Sequence, residues 1–236
     1  MKTQHNVDAL EIDKFDDMAA KWWDPKGPVM PLHLLNPLRI QFIKNACDPQ
    51  NQHALDIGCG GGLVTEALAK HSPYVIGIDQ SEPLLRIAKQ HSANWEMPPK
   101  YLLTTAEEFQ HQQPETFDII TCFELLEHVP NPASLVHAIS QLTKTNGHIF
   151  FSTLNRTPKA FLEAIVVGEY LLKMLPKGTH HYQAFIRPSE LAKLCRENNL
   201  EVKKIQGLRY QPLSKTFSFS NDTGCNYLMY CQKVNP

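Results

Sequence analysis

The chain has 236 residues, of which 42% are hydrophobic and 20% charged, and this predicts one globular domain over residues 1–236 with a sizeable core. Its formal net charge of −1 lacks the basic excess of nucleic-acid-binding proteins, so no nucleic-acid partner is expected. The six cysteines include no Cys-x-x-Cys pair, and the N-terminus is polar and unlike a signal or transit peptide. The sequence also has no apolar run long enough to span a membrane, so a cytoplasmic protein is expected.

The N-terminal part, residues 8–45, is predicted to form two helices. Residues 8–23 can place Leu10, Phe15 and Trp22 on one broad apolar face. Prolines and a glycine then interrupt the chain, and a second helix is expected to begin with Asn36 as its N-cap and Pro37 in its first turn. The neighbouring tryptophans at 22 and 23 fit either a lid over a binding site or ordinary packing on the core.

Strands and helices alternate from residue 54 onward. Strands are predicted over residues 54–57, 74–79, 101–103, 117–122 and 148–153, with intervening helices over 63–70, 83–90 and 133–142. A helix over 189–198 and closing strands over 201–208 and 227–233 follow. This alternation predicts an α/β fold with a mostly parallel sheet and helices on both faces, whose ligands bind at the carboxyl ends of the strands.

Four glycines lie within five residues directly after the first of these strands, in the run Asp56-Ile57-Gly58-Cys59-Gly60-Gly61-Gly62. A strand, a glycine turn and a helix start allow a cofactor to approach the backbone closely. The Gly-x-Gly-x-x-Gly dinucleotide pattern is not met, because Leu63 stands at the third glycine position. Asp56 would repel a pyrophosphate but not a cationic amino acid group. The run resembles the first motif of S-adenosylmethionine-dependent methyltransferases, and an ordinary packing turn is the alternative.

Two residues at the ends of other strands are further candidates for cofactor contact. Asp79 ends the second strand, about 20 residues after Asp56, where an acid accepts hydrogen bonds from ribose hydroxyls. Capping of the following helix is the alternative role for Asp79. Phe123 follows the fourth strand and is expected near the sulfonium or the adenosine.

Two carboxylates and an imidazole follow the fourth strand. If a helical turn begins there, Glu124, Glu127 and His128 share one face. Such a group needs a cation or a shared proton. Oxygen ligands with one imidazole suit Mg²⁺, Mn²⁺ or Zn²⁺, and the oxygen donors favour the harder ions such as Mg²⁺. In the alternative without metal, His128 and Glu127 position the acceptor or remove its proton. His128 cannot easily serve as both ligand and base, since ligation uses the lone pair that a base needs.

Residues 156–182 form an insertion before the last part of the fold. Over 159–175, the four charged residues fall within a narrow arc of a helix, which leaves a wide apolar face with basic flanks. This pattern is typical of helices that lie on anionic lipid. Spacing alone favours the commoner arrangement, in which such a helix packs on its own domain.

Several short runs point to one family more specifically than the glycine motif does. They are Lys21-Trp22-Trp23-Asp24, Asn36-Pro37-Leu38-Arg39 and Pro176-Lys177-Gly178-Thr179-His180. Together they closely resemble the ubiquinone-biosynthesis O-methyltransferases, over about residues 6–236. The resemblance implies a single Rossmann-like class I methyltransferase domain with a seven-stranded sheet. It also implies that Arg39, Gly58, Asp79 and Phe123 contact S-adenosylmethionine, Arg39 through the cofactor carboxylate; methionine is usual at position 123, which favours a backbone contact there.

The resemblance further implies a substrate and a location. The activity expected is methylation of hydroxyl groups on polyprenylated phenol and quinol intermediates, at both O-methylation steps of ubiquinone biosynthesis. Dependence of the family on a divalent ion supports the metal hypothesis. A polyprenyl substrate stays in lipid, so segment 159–175 is expected to dock at the cytoplasmic membrane and to cover the acceptor site, with other ubiquinone-biosynthesis enzymes as further partners. The alternatives are a methyltransferase of a soluble phenol and a non-catalytic, lipid-binding subunit of the same fold.

Overall fold

A computed structural model describes residues 6–162 and 181–235 of the chain. The helices in this part are α1 (Ala9–Asp16), α2 (Met30–Ala46), α3 (Leu63–Ala69), α4 (Glu82–Ser92), α5 (Ala106–Phe109), α6 (Pro132–Leu142), α7 (Pro158–Ala160) and α8 (Pro188–Glu197). The strands are β1 (Ala54–Ile57), β2 (Val75–Asp79), β3 (Lys100–Leu103), β4 (Phe117–Phe123), β5 (Thr143–Leu154), β6 (Leu200–Gln211), β7 (Thr216–Ser220) and β8 (Asn226–Lys233).

All of these strands form one sheet in the order β3-β2-β1-β4-β5-β8-β6-β7. Strands β1 to β5 pair in parallel, whereas β8 pairs antiparallel with both β5 and β6. The predicted α/β fold with helices and a mostly parallel sheet is confirmed, although the last three strands of the sheet pair antiparallel. The sheet has eight strands in place of the expected seven, because residues 216–220 form β7, a hairpin partner of β6 that the sequence analysis did not predict.

Helices cover both faces of the sheet, as predicted. Leu55 and Ile57 pack in an apolar cluster with α6 and α8, while Ala54 packs in a second cluster with α2 and α3. Because successive side chains of a strand point to opposite faces, these clusters lie on opposite sides of β1. Asp56 shares the second face, where it is buried under the start of α3. The glycine turn, and with it the predicted cofactor site, therefore lies where β1 meets α3.

The N-terminal helices differ from the prediction in their limits. The first helix ends at Asp16, and a short 3₁₀ turn at Ala19–Lys21 follows. The second begins at Met30, so Pro37 lies inside it. Asn36 also lies inside this helix, so it is not the N-cap. Its side-chain amide instead donates to the carbonyl oxygen of Leu63 at 2.9 Å. This contact ties α2 to the start of α3.

Most of the predicted amphipathic segment 159–175 lies outside the described residues, as does the run 176–180. The part that is described begins with α7 and ends at Phe161 and Leu162, which are 45% and 55% exposed. Among the described helices, none has the length and apolar character to cross a membrane.

Candidate cofactor and acceptor site

A cavity of about 690 Å³ opens at the carboxyl ends of the parallel strands. The turns after β1, β2 and β4 supply its floor, and residues of α1, α2 and the β6–β7 hairpin supply its sides. Eight of the predicted site residues line this cavity: Arg39, Asp56, Gly58, Gly60, Asp79, Phe123, Glu124 and His128. Glu127 is not in the cavity wall. The sheet thus brings together residues that are far apart in the chain, as the strand-end rule predicts.

The glycine turn is held in a conformation that favours glycine. Gly58, Gly60 and Gly62 have φ values of 70°, 53° and 93°, in the left-handed region that other residues rarely adopt. The backbone N–H of Gly60 donates to Asp79 Oδ2 at 2.8 Å. Asp79 also caps the next segment, because its Oδ1 accepts from the N–H of Ser81 at 2.8 Å. Asp79 therefore braces the turn.

Asp56 is buried and is not exposed at the opening of the cavity. It is 2% exposed, and its two oxygens accept hydrogen bonds from the hydroxyls of Thr65 and Thr121, each at 2.7 Å. Burial raises the pKa of Asp56 to about 6, an effect that the two threonine hydrogen bonds oppose. At neutral pH the carboxylate is ionised, so it supplies a negative charge in a poorly solvated part of the cavity wall.

The indole of Trp22 packs directly on the glycine turn. A Cβ atom on Gly61 would lie 2.3 Å from Trp22 Cδ1, and one on Gly60 would lie 2.5 Å from Trp22 Cζ2. Trp23 Nε1 donates to the carbonyl oxygen of Gly61 at 3.0 Å. Trp22 is 5% exposed and lies both in an apolar cluster and in the cavity wall. Core packing therefore applies to both tryptophans, and Trp22 also lines the cavity.

Arg39 and Glu124 form an ion pair in the cavity wall, with side chains that are 4% and 19% exposed. Arg39 Nη2 lies 3.0 Å from Glu124 Oε1, which also accepts from the Ser152 hydroxyl at 2.7 Å. The guanidinium carbon is 5.1 Å from the centre of the Phe123 ring, a cation–π contact. Arg39 Nε is buried without a hydrogen-bond partner, so this side chain retains an unused donor inside the cavity wall.

The prediction that Glu124, Glu127 and His128 share one face of a helical turn is wrong. Glu124 has a left-handed φ of 52°, and the 3₁₀ turn begins only at Leu126. The left-handed backbone directs Glu124 toward Arg39, which accounts for the break in helical spacing. Within the described ranges 6–162 and 181–235, no group of three or more His, Cys, Asp or Glu side chains is arranged to hold a metal ion.

Glu127 is buried behind the cavity wall. Its Oε2 accepts from the Thr153 hydroxyl at 2.8 Å, and its Oε1 is buried without a hydrogen-bond partner. Burial, and then the negative charge of Glu124, raise the pKa of Glu127 well above its ordinary value. The two carboxylates thus lie close enough to share a proton or to favour a cation.

His128 contacts the N-terminal helix. Its Nδ1 lies 2.8 Å from Glu11 Oε2, and the Phe15 and imidazole rings make a T-shaped contact with centroids 5.1 Å apart. The hydrogen bond from His128 lowers the pKa of Glu11 to about 2, against the effect of burial. Glu11 was not among the predicted site residues, and no local pattern marks it, because 117 positions separate it from His128.

Comparison with known proteins identifies the family. A methyltransferase-domain family model matches residues 32–205. The chain is 48% identical to the ubiquinone biosynthesis O-methyltransferase of Saccharophagus degradans, over 99% of this chain and 100% of that protein. It is 46% identical to the enzyme of the same name from Azoarcus sp., over 97% and 98% of the two chains.

Solved structures show the same fold at low identity. Magnesium protoporphyrin IX methyltransferase from Synechocystis, with S-adenosylhomocysteine bound, superposes with a TM-score of 0.65 at 14% identity, covering 95% of this chain and 98% of that one. A methyltransferase from Aquifex aeolicus superposes with a TM-score of 0.64, also at 14% identity, covering 93% and 98%. The resemblance inferred from the short sequence runs is confirmed by the near full-length relatives. The chain belongs to the ubiquinone biosynthesis O-methyltransferases, which are S-adenosylmethionine-dependent enzymes of the class I methyltransferase fold.

Proposed function

We propose that the protein, acting as one domain, transfers a methyl group from S-adenosylmethionine to hydroxyl groups of polyprenylated phenols and quinols, at both O-methylation steps of ubiquinone biosynthesis. The observation that carries the proposal is one cavity whose wall includes the glycine turn, Asp79 and His128. A methyl donor bound at the glycine turn and Asp79, the donor side, and a hydroxyl bound at His128, the acceptor side, would meet inside one enclosure. Family membership supports both the donor and the acceptor.

The donor side provides a partner for each part of the cofactor. We propose that Asp79, braced by the N–H groups of Gly60 and Ser81, accepts hydrogen bonds from the ribose hydroxyls with its remaining lone pairs. Gly58 and Gly60 allow the cofactor to approach the backbone.

The amino acid end of the cofactor would lie between opposite charges. We propose that the unused donor on Arg39 binds the carboxylate and that ionised Asp56 attracts the amino group. Phe123 would contact the cofactor through its backbone and the ring that lies beside Arg39. These roles follow from charge and from the common cavity.

The reaction needs a deprotonated oxygen aligned with the methyl carbon. The acceptor oxygen attacks the methyl carbon in line, the carbon–sulfur bond breaks, and the sulfonium leaves as a neutral thioether. In the pathway without metal, the phenol proton passes to His128. Glu127, the next residue in the chain, would hold a proton or share it with Glu124. Most of the rate enhancement would come from holding donor and acceptor at reacting distance.

We further propose that Glu124, Glu127 and His128 bind a divalent cation, most simply Mg²⁺, after a rearrangement, because the described side chains are not arranged to hold one as they stand. Two observations fit this donor set: the Oε1 atom of Glu127 is buried without a hydrogen-bond partner, and the charge of Glu124 raises the pKa of Glu127. A cation would relieve both. Bound there, it would act as a Lewis acid that lowers the pKa of the acceptor hydroxyl. Full activity after exhaustive chelation, together with an unaffected Glu124→Ala variant, would remove the cation from the mechanism.

The function is tested by mass spectrometry of the product. Purified protein is incubated with S-adenosylmethionine and a hydroxylated polyprenyl phenol, with and without chelator, and in parallel with a short-chain soluble phenol. The expected result is a product heavier by one methylene unit, formed much faster from the polyprenyl phenol. Equal rates on the two phenols would support the soluble-substrate alternative. Cofactor binding without any product would support a non-catalytic subunit.

We propose that the protein docks peripherally on the anionic cytoplasmic membrane through segment 159–175, where other ubiquinone-biosynthesis enzymes would be its neighbours. Apolar residues beside the cavity support this location. Phe161 and Leu162 are half exposed, and Leu213, which follows the cavity residue Pro212, is fully exposed. Burial of such side chains in the interface would add to electrostatic attraction.

Flotation with anionic liposomes tests the docking surface. Double substitution of Phe161 and Leu162 by serine should reduce the bound fraction, and deletion of residues 159–175 should abolish binding. Leu103→Ser is the matched control, because Leu103 is equally exposed at 56% but lies on β3, at the edge of the sheet. Equal binding by the wild-type protein and the deletion variant would refute the proposed surface.

A further inference from the structure

Helix α1 lies across the cavity and is fixed near both of its ends. Before the helix, Asn6 Nδ2 donates to the carbonyl oxygen of Asn131 at 2.9 Å, and the N–H of Asn131 donates to Asn6 Oδ1 at 2.7 Å. At the other end, Asp16 accepts a hydrogen bond from the hydroxyl of Ser81, next to the turn after β2. The helix therefore connects the turn after β4 with the turn after β2.

Between these two ends, Glu11 contacts His128. The side chains of Glu11 and His128 are 13% and 9% exposed, so this contact lies inside the protein and not on its surface. A carboxylate can only accept a hydrogen bond, which requires His128 Nδ1 to carry a proton. In the neutral ring, Nε2 is then the nitrogen that carries the lone pair. The Phe15 ring, at 89° to the imidazole, packs against it and restricts its rotation.

Two further basic side chains approach Glu11. Lys14 Nζ lies 2.6 Å from Glu11 Oε1, and His181 Nε2 lies 3.8 Å from the same oxygen. The ammonium group beside Glu11 thus comes from its own helix, and an imidazole comes from the residue at 181. On the other element, the acidic side chain adjacent to His128 is Glu127, which is buried.

We propose that Glu11 is a positioning residue that fixes the tautomer and orientation of His128, so that α1 completes the acceptor side of the site. The inference rests on the role proposed above for His128, but it holds for either form of that role. A base needs Nε2 unprotonated, as in a carboxylate–histidine pair. A metal ligand also needs that nitrogen, and a carboxylate on the other nitrogen is the usual partner of a metal-binding histidine.

Three variants at two positions test the proposal. Glu11→Ala removes the acceptor, Glu11→Gln retains a neutral acceptor oxygen, and Asp13→Asn is the control, since Asp13 is an exposed acid on the same helix and the charge change is the same. The ¹⁵N chemical shifts of the His128 ring report the tautomer without any need for turnover. The kinetic constants kcat and KM, the cofactor Kd by calorimetry, and the Tm are measured alongside.

The expected pattern is specific to positioning. In the wild type and Asp13→Asn, Nδ1 carries the proton; in Glu11→Ala the ring shifts toward the Nε2-protonated form, and Glu11→Gln is intermediate. We expect Glu11→Ala to lower kcat by about 10- to 100-fold, the range typical of a lost orienting partner, with cofactor Kd changed by less than about threefold. Glu11→Gln should recover part of that loss.

Failure of the inference differs from failure of the proposed function. An unchanged tautomer in folded Glu11→Ala would overturn the inference whether or not the enzyme turns over. A changed tautomer with an unchanged kcat would also overturn it, since Glu11 would then orient a ring that the reaction does not use. If the wild type methylates no phenol while the tautomer shifts as expected, the proposed function fails and the contact itself is upheld.

Discussion

The packing of Trp22 on the glycine turn predicts a strong coupling between two substitutions. In Gly61→Ala the new methyl group would lie 2.3 Å from Cδ1 and 2.6 Å from Cγ of the indole, far below the roughly 3.5–4.0 Å of an ordinary carbon contact. The indole cannot easily withdraw, because its backbone carbonyl is hydrogen-bonded to His33 at 2.8 Å. Overpacking of this kind costs about 1–3 kcal/mol of unfolding free energy.

Removal of the indole should remove that cost. Gly61 does not have a positive φ, so alanine meets no backbone strain there. Trp22→Ala alone should destabilise the protein by about 3–5 kcal/mol, as for other buried aromatic residues. Adding Gly61→Ala to Trp22→Ala should then cost less than about 0.5 kcal/mol, because the coupling in a double-mutant cycle offsets the steric cost.

Gly60 provides the contrasting case. Its added Cβ would also meet Trp22, at 2.5 Å, but its φ of 53° strains any residue with a side chain. In the Trp22→Ala background, Gly60→Ala should therefore retain a cost of about 1–2 kcal/mol. Urea unfolding followed by far-UV circular dichroism measures all of these variants. A cost of Gly61→Ala that is the same with and without the indole would refute the steric reasoning.

Three further predictions concern the charged groups of the donor side. Burial raises the pKa of Asp56 to about 6, so the folded protein holds this proton at a higher pH than the unfolded chain does. The free energy of unfolding should therefore fall by about 3 kcal/mol as the pH rises from the ordinary pKa of an aspartate through the raised value. Urea unfolding of Asp56→Asn between about pH 4 and 7 should lack this loss, and parallel curves for the variant and the wild type would contradict it. Arg39→Lys should raise the Kd for S-adenosylmethionine about tenfold in calorimetry but leave that of 5′-methylthioadenosine, which has no carboxylate, unchanged; equal losses for both ligands would contradict the assigned contact. Asp79→Ala should weaken both ligands by about 10- to 100-fold, because both carry the ribose, and selective loss of one would argue against a ribose contact.

Features set by local sequence were predictable. The glycine turn and Asp79 follow from short spacing at the ends of two strands, and the structure places both in one cavity. The early start of α2 was not predictable in this way, since Pro37 reads as a helix start and instead lies within a helix held by the contact of Asn36 with Leu63. Strand β7 did carry a signal, the alternation of Phe217 and Phe219 with polar residues, but its shortness hid it.

Features set by distant contacts were not predictable. Helical spacing fails at Glu124 because an ion pair with Arg39, 85 positions away, favours a left-handed backbone there. The partner of His128 comes from α1, on an element with no motif of its own. In both cases the deciding contact forms only when the folded sheet brings distant segments together, and a local pattern does not contain that information.

The hydrogen bonds of Asp79 also determine whether the glycine turn becomes ordered during folding or only when the cofactor binds. The hydrogen bonds from Gly60 and Ser81 to Asp79 are internal to the protein, and Trp22 fills the space behind the turn. Immobilising one backbone residue costs about 1–2 kcal/mol in entropy at room temperature. For this turn that cost is met during folding and not during ligand association, so the turn is preorganised and cofactor affinity is not reduced by having to order it.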